Sequence, residues 1–487
     1  MKWKWILALL AVILTIIAVF TAWKGLHMIY LPKLNEISRE RTVLSTFGGL
    51  DRRAKTPEGF FYDSHNLTSD HYPLMATRAK QTNVYPYPDS YSNILSADTV
   101  YFTRDNVLYR WMEEHQEFHD EFGFGDANSR SKQLLKFGVY ILIFTRDGRL
   151  FYFNTINAVD RGEVHDTYLP QLDYVCTVNN RVWGCRYDET HNEIYASKLG
   201  DFKVWDDFDG LADSSYALSL GSSGEFTGIA AYQGSPIFFK ENYIHRIAGT
   251  LPENFTLQTT ECQGVKKYSD DSIVIANERL YYHGRGGIYV YDGNLPMKIS
   301  HELGSTEFEG ARGGYFANKL FMNMIAENVP AATYVYDIDT GLWHKQNEGN
   351  EYIGFCTYKD ELLCLSDEGI IAWHGKSVFE RADFPKVPFT WYAETGIIGT
   401  DAPGAKYLAR MLIRMSMELD ATMTILVEYD SIPEWIPLTT ISGDSLQSFS
   451  IPLSFDRCDH LRLRFEGKGE AKIYTITKDI EKGGEER

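Results

Sequence analysis

The densest group of oxygen ligands in this 487-residue chain is Asp206-Asp207-Phe208-Asp209-Gly210, and closely spaced carboxylates of this kind could hold calcium. A twelve-residue calcium loop with Gly210 at its sixth position would need an oxygen ligand at Trp205 and a carboxylate at Tyr216. Both fail, so an acidic turn is the expectation. Gly284-Arg285-Gly286-Gly287 has the glycines of a phosphate loop, but no helix follows to supply an N-terminal dipole. His245, His283, His344 and His374 are too scattered to form a triad. The six cysteines (176, 185, 262, 356, 364 and 458) include no C-x-x-C pair, which argues against structural zinc. Cys176/Cys185 and Cys356/Cys364 flank turns that could bring each pair together, and buried free thiols are the favoured alternative. No catalytic, cofactor or metal residue is therefore expected, although a pocket assembled from several repeats would leave no local motif.

Asp337-Ile338-Asp339-Thr340-Gly341-Leu342-Trp343 is similar to the Asp-box turn of sialidases but lacks a residue between Gly341 and Trp343. A tight hairpin with a packed tryptophan explains it equally well.

The elements that would position any site follow a repeat. SIVIANERLYYHGRGGIYVYDG, Ser272 to Gly293, reads strand, polar turn, aromatic strand, glycine turn, strand. The same grammar recurs from Gly228 to Gly249 and from Gly354 to Gly375. Aligning on the first turn gives Asp98, Gly138, Asn180, Gly234, Glu278, Asn318 and Asp360, at separations of 40, 42, 54, 44, 40 and 42. A period of 40–50 residues made only of short strands predicts an all-β fold, a β-propeller of about six to eight blades. One blade cannot bury both faces of its sheet, so blades must stack. The long separation after Asn180 predicts an insertion between blades around Asp206 to Ser223.

The propeller is expected over 94–384. Pro385-Lys386-Val387-Pro388 then marks a boundary, because two prolines sit poorly in a paired strand. Longer alternating stretches over 385–480, such as 409–419, 422–430, 448–453, 460–467 and 471–479, predict a small β-sandwich, with a charged tail at 481–487. Residues 28–93 read as an extended lead-in. Within it, the short polar side chains of Asn66 to Asp70 cap turns, and His71-Tyr72-Pro73 forces an extended segment. This stretch should dock on the propeller rim with Tyr72 and Leu74 buried and Arg78 paired to a carboxylate.

Residues 1–27 contain an uncharged run, Trp5 to Trp23, of 19 residues. At 1.5 Å per residue it spans roughly 28 Å, close to the thickness of a bilayer core. It reads either as a membrane segment or as a stretch upstream of a true start at Met28. A formal charge of −18 argues against a surface that grips nucleic acid through clustered cations.

Three phrases carry a family resemblance. Tyr62-Asp63, Asn66 to Leu74 (with Asp70, Tyr72 and Pro73) and Arg78 resemble the opening of structural proteins of tailed phages, which begin near the equivalent of Tyr30-Leu31-Pro32-Lys33-Leu34. Asn192 to Trp205, followed by Phe226 to Glu241, resembles the propellers of short-tailed phage nozzle (tail tubular) proteins. Arg457 to His460 and Gly467 to Glu470 are similar to their terminal β-domain. The resemblance covers most of residues 30–480 and implies a non-enzymatic virion subunit without cofactors. Its implied partners are other copies in a ring of usually six, neighbouring adaptor, portal or tail proteins, and DNA only in passing through an acidic channel. Membrane contact is implied only if residues 5–23 are retained. The competing expectation is a membrane-anchored surface propeller that binds or hydrolyses glycans.

Overall fold

The computed structural model describes residues 10–15, 38–126, 129–165, 168–374, 386–400, 404, 406–451 and 458–482. The expected membrane run falls outside these residues except for 10–15, which are helical; among the described residues no helix is long and apolar enough to cross a membrane. Everything else regular is strand, apart from three short 3₁₀ turns.

Among the described residues nine antiparallel sheets form, seven of them small. In chain order the small sheets begin with strands Tyr91–Ser96, Ser131–Phe137, Tyr174–Val178, Phe226–Tyr232, Val274–Ala276, Gly310–Phe316 and Gly354–Tyr358. Each continues as a meander, and sheets one to six have four strands apiece. The first two strands are joined by tight hairpins. Several of these place both loop residues at positive φ: Asn179/Asn180 (49°, 58°), Gln233/Gly234 (48°, 68°), Asn277/Glu278 (48°, 60°) and Ala317/Asn318 (48°, 59°). That backbone matches the twist of the flanking strands.

Seven separate apolar clusters lie between consecutive sheets. Phe124 and Ile141 belong to the cluster between sheets one and two, Phe137 and Val182 to that between two and three, and Trp183 and Phe238 to that between three and four. Phe239 with Tyr282, Tyr281 with Tyr334, and Phe321 with Leu362 continue the series through sheet seven. Phe102 and Leu363 then join sheet seven back to sheet one. Side-chain hydrogen bonds follow the same order. Asn93 reaches Ser131, Gln133 reaches Val175, Asn179 reaches the Gly234 carbonyl, and the Tyr232 hydroxyl reaches that of Glu278. Tyr315 donates to Asn277, Thr357 to Tyr315, and Tyr358 of sheet seven to Glu113 of sheet one.

The two larger sheets share a single core containing Trp391, Ile413, Met423, Ile425, Phe465 and Ile473. The strand Lys406–Met417 shows how the sequence builds it. A bulge at Leu408/Arg410 re-phases the alternation, so Leu408, Met411, Ile413 and Met415 all point inward.

Three expectations need correction. The lead-in is not a separate extended segment: Ser38–Leu44 pairs with Ala471–Lys482, and Phe61–His65 pairs with Thr390–Thr395. Gln81–Tyr85 instead pairs with Gly369–Ala372 as an added strand of sheet seven. The boundary phrase also pairs, since Lys386–Val387 is a two-residue strand against Gln81 and Thr82; so short a strand fits before Pro388 without losing a needed donor. The insertion after Asn180 does not lie between sheets. Residues 197–215 are a loop between the third strand of sheet three, Asn192–Ala196, and its fourth, Tyr216–Ser219.

Candidate functional site

The most elaborate polar construction joins the lead-in to sheet six and to the larger sheets. Asn66 follows the strand Phe61–His65 at φ 59°, a left-handed position that Asn tolerates better than most residues. Its backbone N–H donates to the Lys345 carbonyl at 2.8 Å and its Nδ2 to the Thr390 carbonyl at 2.7 Å. Its Oδ1 accepts from Arg78 Nε and from the Asn347 N–H, both at 3.0 Å. One side chain thus ties three parts of the chain together. Alongside it, Lys345, with 3% of its side chain exposed, lies 3.0 Å from Asp63 and 3.1 Å from Glu348. Burial would raise the Asp63 carboxyl, but Lys345 and Arg52 more than offset this and hold it below the usual range.

Asp70 is the second anchor. It pairs with Lys319 of sheet six and accepts from Thr68 at 2.7 Å; these outweigh burial and lower its carboxyl. Ser69 donates to Asp337, whose other oxygen accepts the N–H groups of Asp339 and Thr340 inside the Asp337–Trp343 hairpin. Trp343 closes that hairpin, buried, with Nε1 on the Ile299 carbonyl at 3.0 Å.

Other parts of the motif differ from expectation. His71-Tyr72-Pro73 forms a turn, with the Tyr72 N–H on the Ser69 carbonyl and the Leu74 N–H on that of His71. The turn swings Tyr72 outward, 49% exposed, and leaves Pro73 exposed and Leu74 half-buried. Met75 and Ala76 take the inward positions because their strand pairs with Ile473 and Lys472. Arg78 is held by Asn66, by the Ala79 carbonyl at 2.8 Å and by the Phe389 ring 4.4 Å away, rather than by a carboxylate. Burial pulls its guanidinium down to about 10.

The seven aligned turn residues, Asp98, Gly138, Asn180, Gly234, Glu278, Asn318 and Asp360, each fall between the first and second strands of one small sheet. His245, His283 and His344 lie in different sheets, and His374 follows the strand Gly369–Ala372 of sheet seven. Burial lowers His245 to about 4, His283 to about 3 and His344 to about 4. Neither nitrogen of His344 has a hydrogen-bond partner among the described residues. In the acidic loop Asp207 pairs with Lys198 at 2.5 Å, and among the described residues no three His, Cys, Asp or Glu side chains converge as metal ligands would. Cys176 registers with Trp183 and Cys185 with Tyr174, so these two are not directly opposite each other, and no disulfide forms among the described residues.

One cluster escaped sequence reasoning. Lys132, Tyr174, Asp270/Asp271 and Arg312 come from sheets two, three, five and six, at or near the start of each first strand. Asp271 lies 3.5 Å from Arg312, and Lys132 lies 3.7 Å from Asp173 and 5.7 Å from the Tyr174 ring. Crowding by protein raises both aspartates, and Asp270 adds to the rise of Asp271. No local motif could have revealed residues brought together from four repeats. Chemically the group offers mixed charge and a phenol.

No family model matches this chain, and no curated protein does. Among solved structures it is similar to the extracellular domain of a hybrid two-component system from B. thetaiotaomicron, at 11% identity and TM-score 0.43. That match covers 81% of this chain, which spans only 61% of the other. A chain of the Mitotic Checkpoint Complex matches at 9% identity and TM-score 0.42, over 64% of this chain and 94% of that one. Likenesses this distant carry no functional argument.

Proposed function

We propose that this protein is a non-enzymatic structural subunit of a phage tail: a seven-bladed β-propeller bearing a β-sandwich, assembled as a closed ring of about six copies around the path of DNA. The single observation that carries the reading is where the phage-like opening phrase lies. Asn66, Asp70 and Arg78 form the joint between the sixth small sheet and the larger sheets. The resemblance therefore falls on framework residues that fix one part of the molecule against another, as a load-transmitting subunit needs. Sheet-to-sheet packing that runs from one to seven and back to one supports the propeller. The net charge of −18 suits a passage from which DNA slides away rather than sticks.

The test is antibody labelling of particles induced from cells that encode the protein. Labelling at the tail supports the proposal. Labelling of cell membranes with particles left bare contradicts it and favours the second reading, an anchored surface propeller. That alternative draws on the mixed-charge group of Lys132, Tyr174, Asp271 and Arg312, and it predicts retention of specific saccharides on a glycan array.

A further inference from the structure

A serine, a histidine and an aspartate meet at one end of the two larger sheets. The strands Thr422–Tyr429 and Ile436–Ser442 are joined by a loop that opens with Asp430 and Ser431. Both adopt positive φ, 50° and 56°, and the Ile432 N–H closes the turn on the Tyr429 carbonyl at 2.9 Å. Glycine or asparagine suits the second of these positions better than serine. The serine hydroxyl nevertheless has a use: its Oγ lies 2.7 Å from Nε2 of His460, which immediately precedes the strand Leu461–Lys468. Across the ring, Nδ1 lies 3.2 Å from Oδ2 of Asp459. The Gly404 N–H fixes that carboxylate through Oδ1 at 2.7 Å. With its own proton on Nδ1, the imidazole accepts the Ser431 hydroxyl at Nε2, as a general base beside a nucleophile does.

Asp430 holds the two segments in register. Its Oδ1 accepts the N–H groups of Asp459 and His460 at 2.8 and 3.2 Å, and its own N–H donates to the His460 carbonyl at 3.0 Å. The separation of Ser431 from His460 is therefore set by backbone contacts. Ser431 also lines a groove of about 730 Å³, within the roughly 300–1,000 Å³ range of ligand pockets. Leu44, Phe60, Ile397, Ile398 and Ile476 line the same groove. Its Arg52, Arg462 and Lys478 are each paired with carboxylates, so the lining favours an uncharged apolar chain over an anion.

We infer that Ser431, His460 and Asp459 form an ester-hydrolysing site whose groove takes the apolar acyl group of a carboxylic ester. His460 Nε2 removes the Ser431 proton as Oγ bonds to the ester carbonyl carbon. The bond from that carbon to the alcohol oxygen then breaks, and His460 gives the proton to the leaving alkoxide. Water next attacks the acyl-serine and passes a proton to His460; the carboxylic acid leaves, and Ser431 Oγ regains its proton. Asp459 is a positioning residue that orients the ring and stabilises the imidazolium. This activity adds a chemical role to a subunit proposed to be structural, and it does not rest on that proposal.

The test uses full-length protein, p-nitrophenyl esters from acetate to octanoate, and a fluorophosphonate probe followed by peptide mapping. Hydrolysis should be faster for the longer acyl chains, and the label should sit on Ser431. Ser431→Gly, which suits φ 56°, and His460→Gln should each lower kcat/KM roughly a hundredfold or more, with thermal unfolding showing that both fold. Asp459→Asn should lower kcat about tenfold or more with KM little changed. Equal hydrolysis by wild type and Ser431→Gly overturns the inference, as does the absence of both turnover and label at Ser431. Either result leaves the ring reading standing.

Discussion

An ideal β-carbon on Gly49 would lie 2.2 Å from the carbonyl oxygen of Trp343. That carbonyl accepts the next N–H, from Leu50, at 2.6 Å, and Asp51 in turn bonds the strand Phe61–His65. The path from sheet six to the larger sheets is thus a run of backbone hydrogen bonds so close that only glycine fits. Gly49→Ala should cost about 1–3 kcal/mol or more, since the clash is with backbone and cannot be relieved by a side-chain rotation. Gly123→Ala, with nothing within 4 Å, is the control and should change the urea midpoint little.

Asn66 makes a sharper prediction. Asn66→Ala strands the Thr390 carbonyl, the Asn347 N–H and a buried guanidinium, and also places Ala at φ 59°. We expect a loss of about 3–5 kcal/mol in chemical denaturation. Asn66→Gly, which tolerates the backbone, should recover about 1 kcal/mol of it.

Closure of sheet seven depends on a second glycine. Gly369 adopts φ +124°, and a β-carbon there would lie 1.8 Å from the Tyr85 carbonyl. Gly369→Ala should loosen the strand Gln81–Tyr85, and limited proteolysis should then cut near residues 79–90 well before it cuts the wild type there.

Stability should fall on mild acidification. His65, His245 and His344 titrate near 4 and His283 near 3 when folded, chiefly through burial, against about 6.5 when unfolded. Between those values the unfolded chain binds more protons, so their contribution is full above about pH 6.5 and is lost as pH falls towards 4. Asp270, Asp271 and Glu394 are raised and act in the opposite sense, but they are fewer. The urea midpoint should therefore be lower at pH 5 than at pH 7. His344→Gln should flatten the dependence.

The repeat was legible in the sequence because each small sheet is local. Its strands alternate, and its first hairpin carries residues such as Asn180 or Gly234 that accept positive φ. Pairing of Ser38 with Lys482, or of Phe61 with Thr395, had no local signal: nothing near either strand names its partner. Arg78 was misjudged because a buried guanidinium can be satisfied by an amide, a carbonyl and a ring as well as by a carboxylate. The insertion was recognised from its length, yet spacing cannot tell a loop within a sheet from one between sheets. The polar group around Asp271 was invisible for a related reason, since its members are contributed by four separate repeats.

The most direct test of the account is the mass and symmetry of the full-length protein at micromolar concentration, by native mass measurement and electron microscopy. The account predicts one discrete, closed ring of identical copies, about six. A monomer at every concentration, or an open-ended filament, would contradict it.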